Sequence, residues 1–144
     1  MVRKSFFLIS LAALTASPAA AEIGRIKSSV GAATVERGSN QIPAATGQEL
    51  MPGDWLVTGK DGRISLTFVD NTRFAIGPNS RISVSKFEYD KTRQQGSFLT
   101  QVDRGSLAVV SGRIAKSARD AMKVRTPNSL LGVRGTRFIV EVPK

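Results

Sequence analysis

The sequence contains no cysteine and no histidine, and only one tryptophan and one tyrosine among its 144 residues. Without histidine the usual general base, the Ser-His-Asp triad and imidazole metal ligands are all missing. Without cysteine there is no thiolate nucleophile, no disulfide, and most zinc-site chemistry is gone. Charge of one sign is also scarce: 11 Asp and Glu stand against 21 Lys and Arg, a formal net charge of +10. These absences leave enzyme chemistry little to work with, and neither a cofactor nor a metal site is expected.

Long hydrophobic runs are missing too. The one sustained apolar stretch, "FFLISLAALTA" at 6–16, follows Arg3 and Lys4 and precedes "AAA" at 19–21. A basic start, a short apolar run and a small-residue site are the pattern of a secretion signal. The run is shorter than the roughly 20 residues a membrane-spanning helix needs. The expectation is a signal peptide over 1–21, a mature chain from Glu22 and no transmembrane segment in it. Arg3 and Lys4 leave with the signal, so 19 basic and 11 acidic residues remain, a net charge of +8. A cysteine-free exported chain of 123 residues fits one domain, residues 22–144, in a bacterial periplasm.

What the chain does have is rhythm. Pro52-Gly53, Asp61-Gly62, Asp70-Asn71 and Asn79-Ser80 are turn pairs nine residues apart, each suited to a tight turn by proline φ, glycine freedom or Asx hydrogen bonding. Between them lie "DWLVTGK", "RISLTFV", "TRFAIGP" and "RISVSKF". Ile64, Leu66 and Phe68 alternate with Arg63, Ser65 and Thr67, and Ile82 and Val84 repeat the alternation of a half-buried strand. Phe74 and Ile76 sit one step out of phase, which a bulge or wider turn would absorb. Two further strands are expected on either side of Arg104-Gly105. Arg113, Lys116, Arg119 and Lys123 then fall in a basic segment, 113–125, read as a solvated loop or one or two helical turns. The fold class is all-β: a solenoid-like or sandwich-like β-roll of short strands.

Two formal catalytic patterns carry little. Ser83 and Lys86 have the Ser-x-x-Lys spacing of acyl enzymes, but they sit in a strand pattern, where positions three apart face opposite ways, and the partner motifs are missing. Glu88 and Asp90 can share a strand face as a carboxylate pair, yet they suit a hairpin end. The surplus of basic residues attracts polyanions, but the arginines are scattered and the phenylalanines fall on apolar faces, which argues against nucleic acid. Anionic lipid, acidic glycan or an acidic protein patch remain as partners.

The closing stretch "LLGVRGTRFIVEV", 130–142, reads as a turn feeding a strand. Phe138, Val140 and Val142 alternate with Arg137, Ile139 and Glu141; Gly135 allows a sharp bend, and Arg134 and Arg137 stand off the apolar face. A small backbone anion nest around Gly135 is the competing reading.

In their order, Gly53-Asp54, Thr58-Gly59, "ISLTFVDNTRFAIGPNSRISV" with Asp70, Pro78 and Ser80, Arg104-Gly105, Thr126-Pro127 and the run Arg134, Gly135, Thr136, Phe138 resemble the FecR domain across about residues 26–142. The resemblance implies a periplasmic, β-rich, solenoid-like domain without catalytic residues. In such regulators it relays signals between an outer-membrane receptor and a sigma factor during siderophore-triggered iron uptake. Gly135, Thr136 and Phe138 would be architectural, and the last strand would leave an exposed edge. The function expected is a binding or scaffold module of envelope signalling, contacting a receptor or membrane sensor through its basic faces, Arg113, Lys116, Arg119, Lys123, Arg134 and Arg137 among them. The alternative is a binder or carrier of lipopolysaccharide or anionic glycan; a small hydrolase using Glu88 and Asp90 stands third.

Overall fold

The computed structural model describes residues 21–135 and 137–144. The expected signal peptide therefore lies, Ala21 apart, outside the described residues, as does Thr136. The elements are β1 (Gly24–Val30), β2 (Ala33–Arg37), β3 (Asn40–Pro43), β4 (Glu49–Leu50), β5 (Trp55–Thr58), β6 (Arg63–Phe68), β7 (Arg73–Ile76), β8 (Arg81–Asp90), β9 (Gln95–Val110), α1 (Arg113–Ser117), β10 (Met122–Arg125), β11 (Leu130–Val133) and β12 (Arg137–Val142). The all-β expectation holds, and the twelve strands form one curled sheet.

The pairing reveals why the strands are short. β5 pairs with β8 and β6 with β7, so β5 and β6 behave as one long strand bent between Thr58 and Arg63. β1 and β2 flank the same bend from one side, pairing with β6 and β5. β7 and β8 flank it from the other, and both pair with the single 16-residue β9. The bends lie side by side and fold the sheet into two halves, β4-β1-β6-β7 with the end of β9, and β3-β2-β5-β8 with its beginning. The nine-residue beat thus alternates between corners at this fold line and turns at the far ends of the halves.

A row of hydrogen bonds runs along the fold line. The Thr58 hydroxyl donates to the Gly77 carbonyl at 2.7 Å and accepts from the Ser80 amide at 3.0 Å. The Ser80 hydroxyl donates to Gly77 at 2.9 Å and accepts from the Ser106 amide at 3.0 Å. Backbone bonds from Gly59 to Ala32, Asn79 to Gly59 and Gly77 to Ser106 extend the row across all four bends. The corners are too tight for side chains at their glycines, Gly105 and Gly62 among them. Gly105 has φ +93°, and a Cβ there would stand 2.4 Å from the Ser80 Cα; one on Gly62 would stand 2.0 Å from the Ala32 carbonyl oxygen.

The even-numbered apolar residues of β6, β7 and the start of β8 all point into the curl: Ile64, Leu66, Phe68, Phe74, Ile76, Ile82 and Val84 are buried. The expected phase slip at Phe74 is a wider turn, Val69–Asn71, closed by the Phe68 amide on the Thr72 carbonyl, with Asn71 at φ 69°. Phe68, from one half, meets Phe87 and Phe98, from the other, at ring-centre distances of 5.6 and 4.8 Å, and Phe74 at 4.8 Å. Each such pair contributes about 0.5–1.5 kcal/mol beyond area burial. These rings fill the curl.

Several expectations are corrected. Every strand pair except β9–β10 is antiparallel among the described residues, whereas solenoid rungs stack in parallel, so the solenoid half of the fold expectation is not what the pairing shows. Arg104-Gly105 does not separate two hairpin strands; β9 runs through it. In the segment 113–125 the expected helical turn is present as α1, but Ile114 and Ala115 on it are buried, and the rest is not a loop alone: β10 inserts beside β9 with Met122 and Val124 buried. Arg113, Lys116, Arg119 and Lys123 therefore share no helical face. Thr126-Pro127-Asn128 does end a strand, as the turn of the β10–β11 hairpin, with the Thr126 amide bonded to Ser129.

The corners and the turn at Asp70 set the stability of three variants. Gly105→Ala adds a clash and a strained φ, and should lower unfolding free energy by at least ~3 kcal/mol; Ser80→Ala leaves the Ser106 amide without its acceptor and should cost about 1–3 kcal/mol. Urea denaturation checks both, and a Gly105→Ala loss smaller than that of Ser80→Ala contradicts the tight corner. Asp70, fully buried, accepts from the Thr72 amide and hydroxyl at 3.0 and 2.8 Å and from the Ile114 amide at 3.2 Å. Asp70→Asn turns one acceptor into a donor facing donors, and about 2 kcal/mol should be lost in the same measurement.

Candidate functional site

Of the motif residues singled out in the sequence, Asp54, Asp70 and Ser80 are buried, whereas Gly53, Pro127, Arg134 and Gly135 are exposed. Gly53, at φ 88°, makes the turn into β5 and gives its amide to the Val84 carbonyl. Asp54 is buried and takes both arms of Arg37 at 2.8 Å, with the Met51 amide at 2.9 Å. That bidentate bond raises the Arg37 pKa above its ordinary value. Asp70 ties the β6–β7 turn to the start of α1, where the Thr72 hydroxyl also accepts from the Gly112 amide at 3.1 Å. Pro78 and Ser80 form the corner into β8. Thr126 and Pro127 form the β10–β11 turn.

The closing stretch behaves largely as read. β12 is a strand on which Phe138 is half-buried against the core, and Arg134 and Arg137 are exposed. Gly135 is not at a left-handed φ, and its carbonyl accepts from the Ser111 hydroxyl. Thr136, placed with it by resemblance, is outside the described residues.

The catalytic candidates are not assembled for chemistry. A bulge at Ser85 interrupts the β8–β9 ladder, and it places Ser83 and Lys86 on the same outer face, correcting the expectation that they face opposite ways. The Ser83 hydroxyl nevertheless bonds to Ser85, and the Lys86 ammonium stands 3.9 Å from Glu88. Asp90 accepts from the amides of Thr92 and Arg93, capping the β8–β9 turn. Glu88 and Asp90 do share the outer face, while Tyr89 between them packs against the core, its hydroxyl buried without a hydrogen-bond partner among the described residues.

The basic residues divide among separate places. Arg113 and Lys116 meet Arg93 at a shallow depression by α1, and Lys123 meets Lys86 and Arg125 near β10. Arg119 and Arg134 join neither group. Arg137 lies elsewhere again, in a groove of about 850 Å³ on the outer face of the β1-β6-β7-β9-β12 half, together with Lys27 and Arg73. Those two were not singled out in the sequence, because only the strand register brings them beside Arg137: Arg73 and Arg137 both pair with Val110.

The two outer faces differ in how their charges are answered. On the β5-β8-β9 half, Arg81 stacks on Trp55 at 3.8 Å and bridges Glu36 at 3.0 Å and Asp103 at 2.9 Å. On the other half, at the rim, Arg25 binds Glu22 and Glu49; its hydrogen bond to Glu22 holds that carboxyl below its ordinary value and raises Arg25. Lys27, Arg63, Arg73 and Arg137 have no carboxylate within ion-pair distance among the described residues. No helix among the described residues is long and apolar enough to cross a membrane.

Comparison with known proteins bears on what these surfaces serve. No curated protein matches the sequence, and no solved structure matches the fold. The family profile described as FecR protein matches residues 54–144, from the buried Asp54 through the fold line, Asp70 and β9 to the end of β12. Strands β1 to β4 lie before the match, although they complete the sheet. With the larger part of the sequence matched, and with the family's ordered motifs found at the corners and turns that close the fold, the chain belongs to the FecR family.

Proposed function

We propose that this protein is a non-catalytic binding or scaffold module of the bacterial periplasm, serving envelope signalling or regulation. The family is a regulatory one, and one structural observation carries the reading further. The polar motif residues Asp54, Thr58, Asp70 and Ser80 are buried and hydrogen-bonded internally. They leave partner contact to the outer faces and to the strand edge. β12 pairs only with β9, and β11 only with β10, among the described residues. Edges of this kind accept an added strand from another chain. Exposed Leu130, Leu131 and Ile139 lie on these two strands.

The partner in this reading is an envelope receptor or membrane sensor. The test is a photo-reactive residue placed at Leu131, at Ile139 and, as a distant control, at Lys60, activated in intact cells, with adducts identified by mass spectrometry after denaturing purification. A receptor or sensor protein should dominate the adducts at Leu131 or Ile139 and be absent at Lys60. Adducts of glycan or lipid alone, or an intrinsic hydrolase or transferase activity in the purified protein, would overturn the reading.

A further inference from the structure

Resting on the reading that the protein works by binding an envelope partner, we propose that the groove across β1, β6, β7, β9 and β12 receives an extended acidic peptide segment of that partner. The strand register arranges the outer face into three parallel rows. Thr67, Arg73, Val110 and Arg137 are direct neighbours across the strands, with Lys27 beside them. Next come Ser28, Ser65, Ala75, Ala108 and Ile139, also in register. Beyond them stand Val30 and Arg63 at one end and Ser106 and Glu141 at the other.

The middle row is the floor, because four of its five side chains are serine or alanine. The outer rows, with arginine, lysine, valine and glutamate, are the walls. Four strand spacings make the floor roughly 19 Å long, the span of about six residues of extended chain. Ser28 and Ser65 hydrogen-bond to each other at one end, so the floor offers mainly apolar contact, rising to Ile139, which is 70% exposed. Alternate side chains of an extended peptide point to opposite sides. Apolar residues of the occupant would rest on the alanines and Ile139, while the carboxylates between them meet Lys27, Arg73 and Arg137 reaching up from the wall.

Charge complementarity selects this occupant over others. Lys27, Arg73 and Arg137 have no ion-pair carboxylate among the described residues, in contrast to Arg25 at the rim of the same face and Arg81 on the opposite half, so these three are available to an acidic charge from outside. A second copy of a chain carrying +10 brings the same sign and is repelled. A bilayer would meet the basic side chains first, with the apolar floor recessed beneath them, whereas interfacial binding relies on apolar groups that protrude into the headgroups. Nucleic-acid bases would look for exposed aromatic faces to stack on, and the floor has none.

The direct test is fluorescence anisotropy of a labelled peptide of alternating Asp and Val with the purified protein. An Asn-Val peptide and vesicles of phosphatidylglycerol with phosphatidylethanolamine are run beside it. Saturable binding of the Asp-Val peptide is expected, weaker by about tenfold or more for Asn-Val. Ala108→Leu fills the floor with an outward-facing side chain and should cost about tenfold. Arg73→Glu with Arg137→Glu should abolish binding, while Lys116→Glu with Arg119→Glu, the same charge change elsewhere, should leave it nearly intact. Ala75→Leu, on the neighbouring strand, replaces Ala108→Leu if the latter fails to give a native melting transition.

Equal loss from the two double reversals, indifference to the floor substitutions, or binding of vesicles without peptide would each overturn the groove. Self-association on sizing that excludes the peptide would overturn it too. An envelope protein captured at Leu131 while the peptide does not bind would remove the groove and leave the proposed module standing.

Discussion

Everything in this fold depends on the row of hydrogen bonds that Thr58 and Ser80 make where the sheet bends. Hydrophobic burial is non-directional, so the four phenylalanines alone do not dictate which strand faces which. The hydroxyls do: that of Thr58 binds a carbonyl and an amide of the neighbouring β7–β8 bend, and that of Ser80 joins a carbonyl of its own bend to the Ser106 amide in the next. A buried hydroxyl or amide without a partner costs about 1–3 kcal/mol, so a slip at one corner leaves unsatisfied groups at its neighbour. The bends are thereby kept in line, and Phe68 of one half is delivered onto Phe87 and Phe98 of the other.

Once the bends are aligned, the remaining polar motif residues act as clasps at the far ends of the halves. Asp54 holds Arg37 beside the turn entering β5, and Asp70 holds the start of α1 against the β6–β7 turn. This division of labour accounts for a family signature rich in Asp, Ser and Thr. In the proposed reading these residues serve the scaffold, and recognition falls to the faces it creates. Of these, the face around Trp55 and Arg81 neutralises its own charges, while the face around Arg73 and Arg137 does not.

Much of the architecture was legible between residues 55 and 87. Up to the bulge at Ser85 the apolar residues alternate along each strand, and the turn residues announce each reversal. Other features were hidden for definite reasons. The bulge at Ser85 flips the parity of β8, so Ser83 and Lys86 end on one face against the rule of two. In 122–125, Met122 and Val124 alternate with Lys123 and Arg125, a strand signal masked by the surrounding basic residues. Gly105 looks like a hairpin turn by composition, and only its fit against Ser80 reveals a bend within one strand. The groove was the least legible feature, since Lys27, Arg73 and Arg137 are far apart in the chain and meet only through pairing register.

The most direct measurement of the central claim is native-state hydrogen exchange resolved by residue. The amides of Gly77, Ser80 and Ser106 lie in bends and would exchange early in ordinary loops. If the fold line holds the halves together, they should be among the most protected amides in the protein and open only with global unfolding. Rapid exchange there, with the amides of β6, β7 and β9 still protected, would show that the core sets the bend without the fold line and would contradict the account.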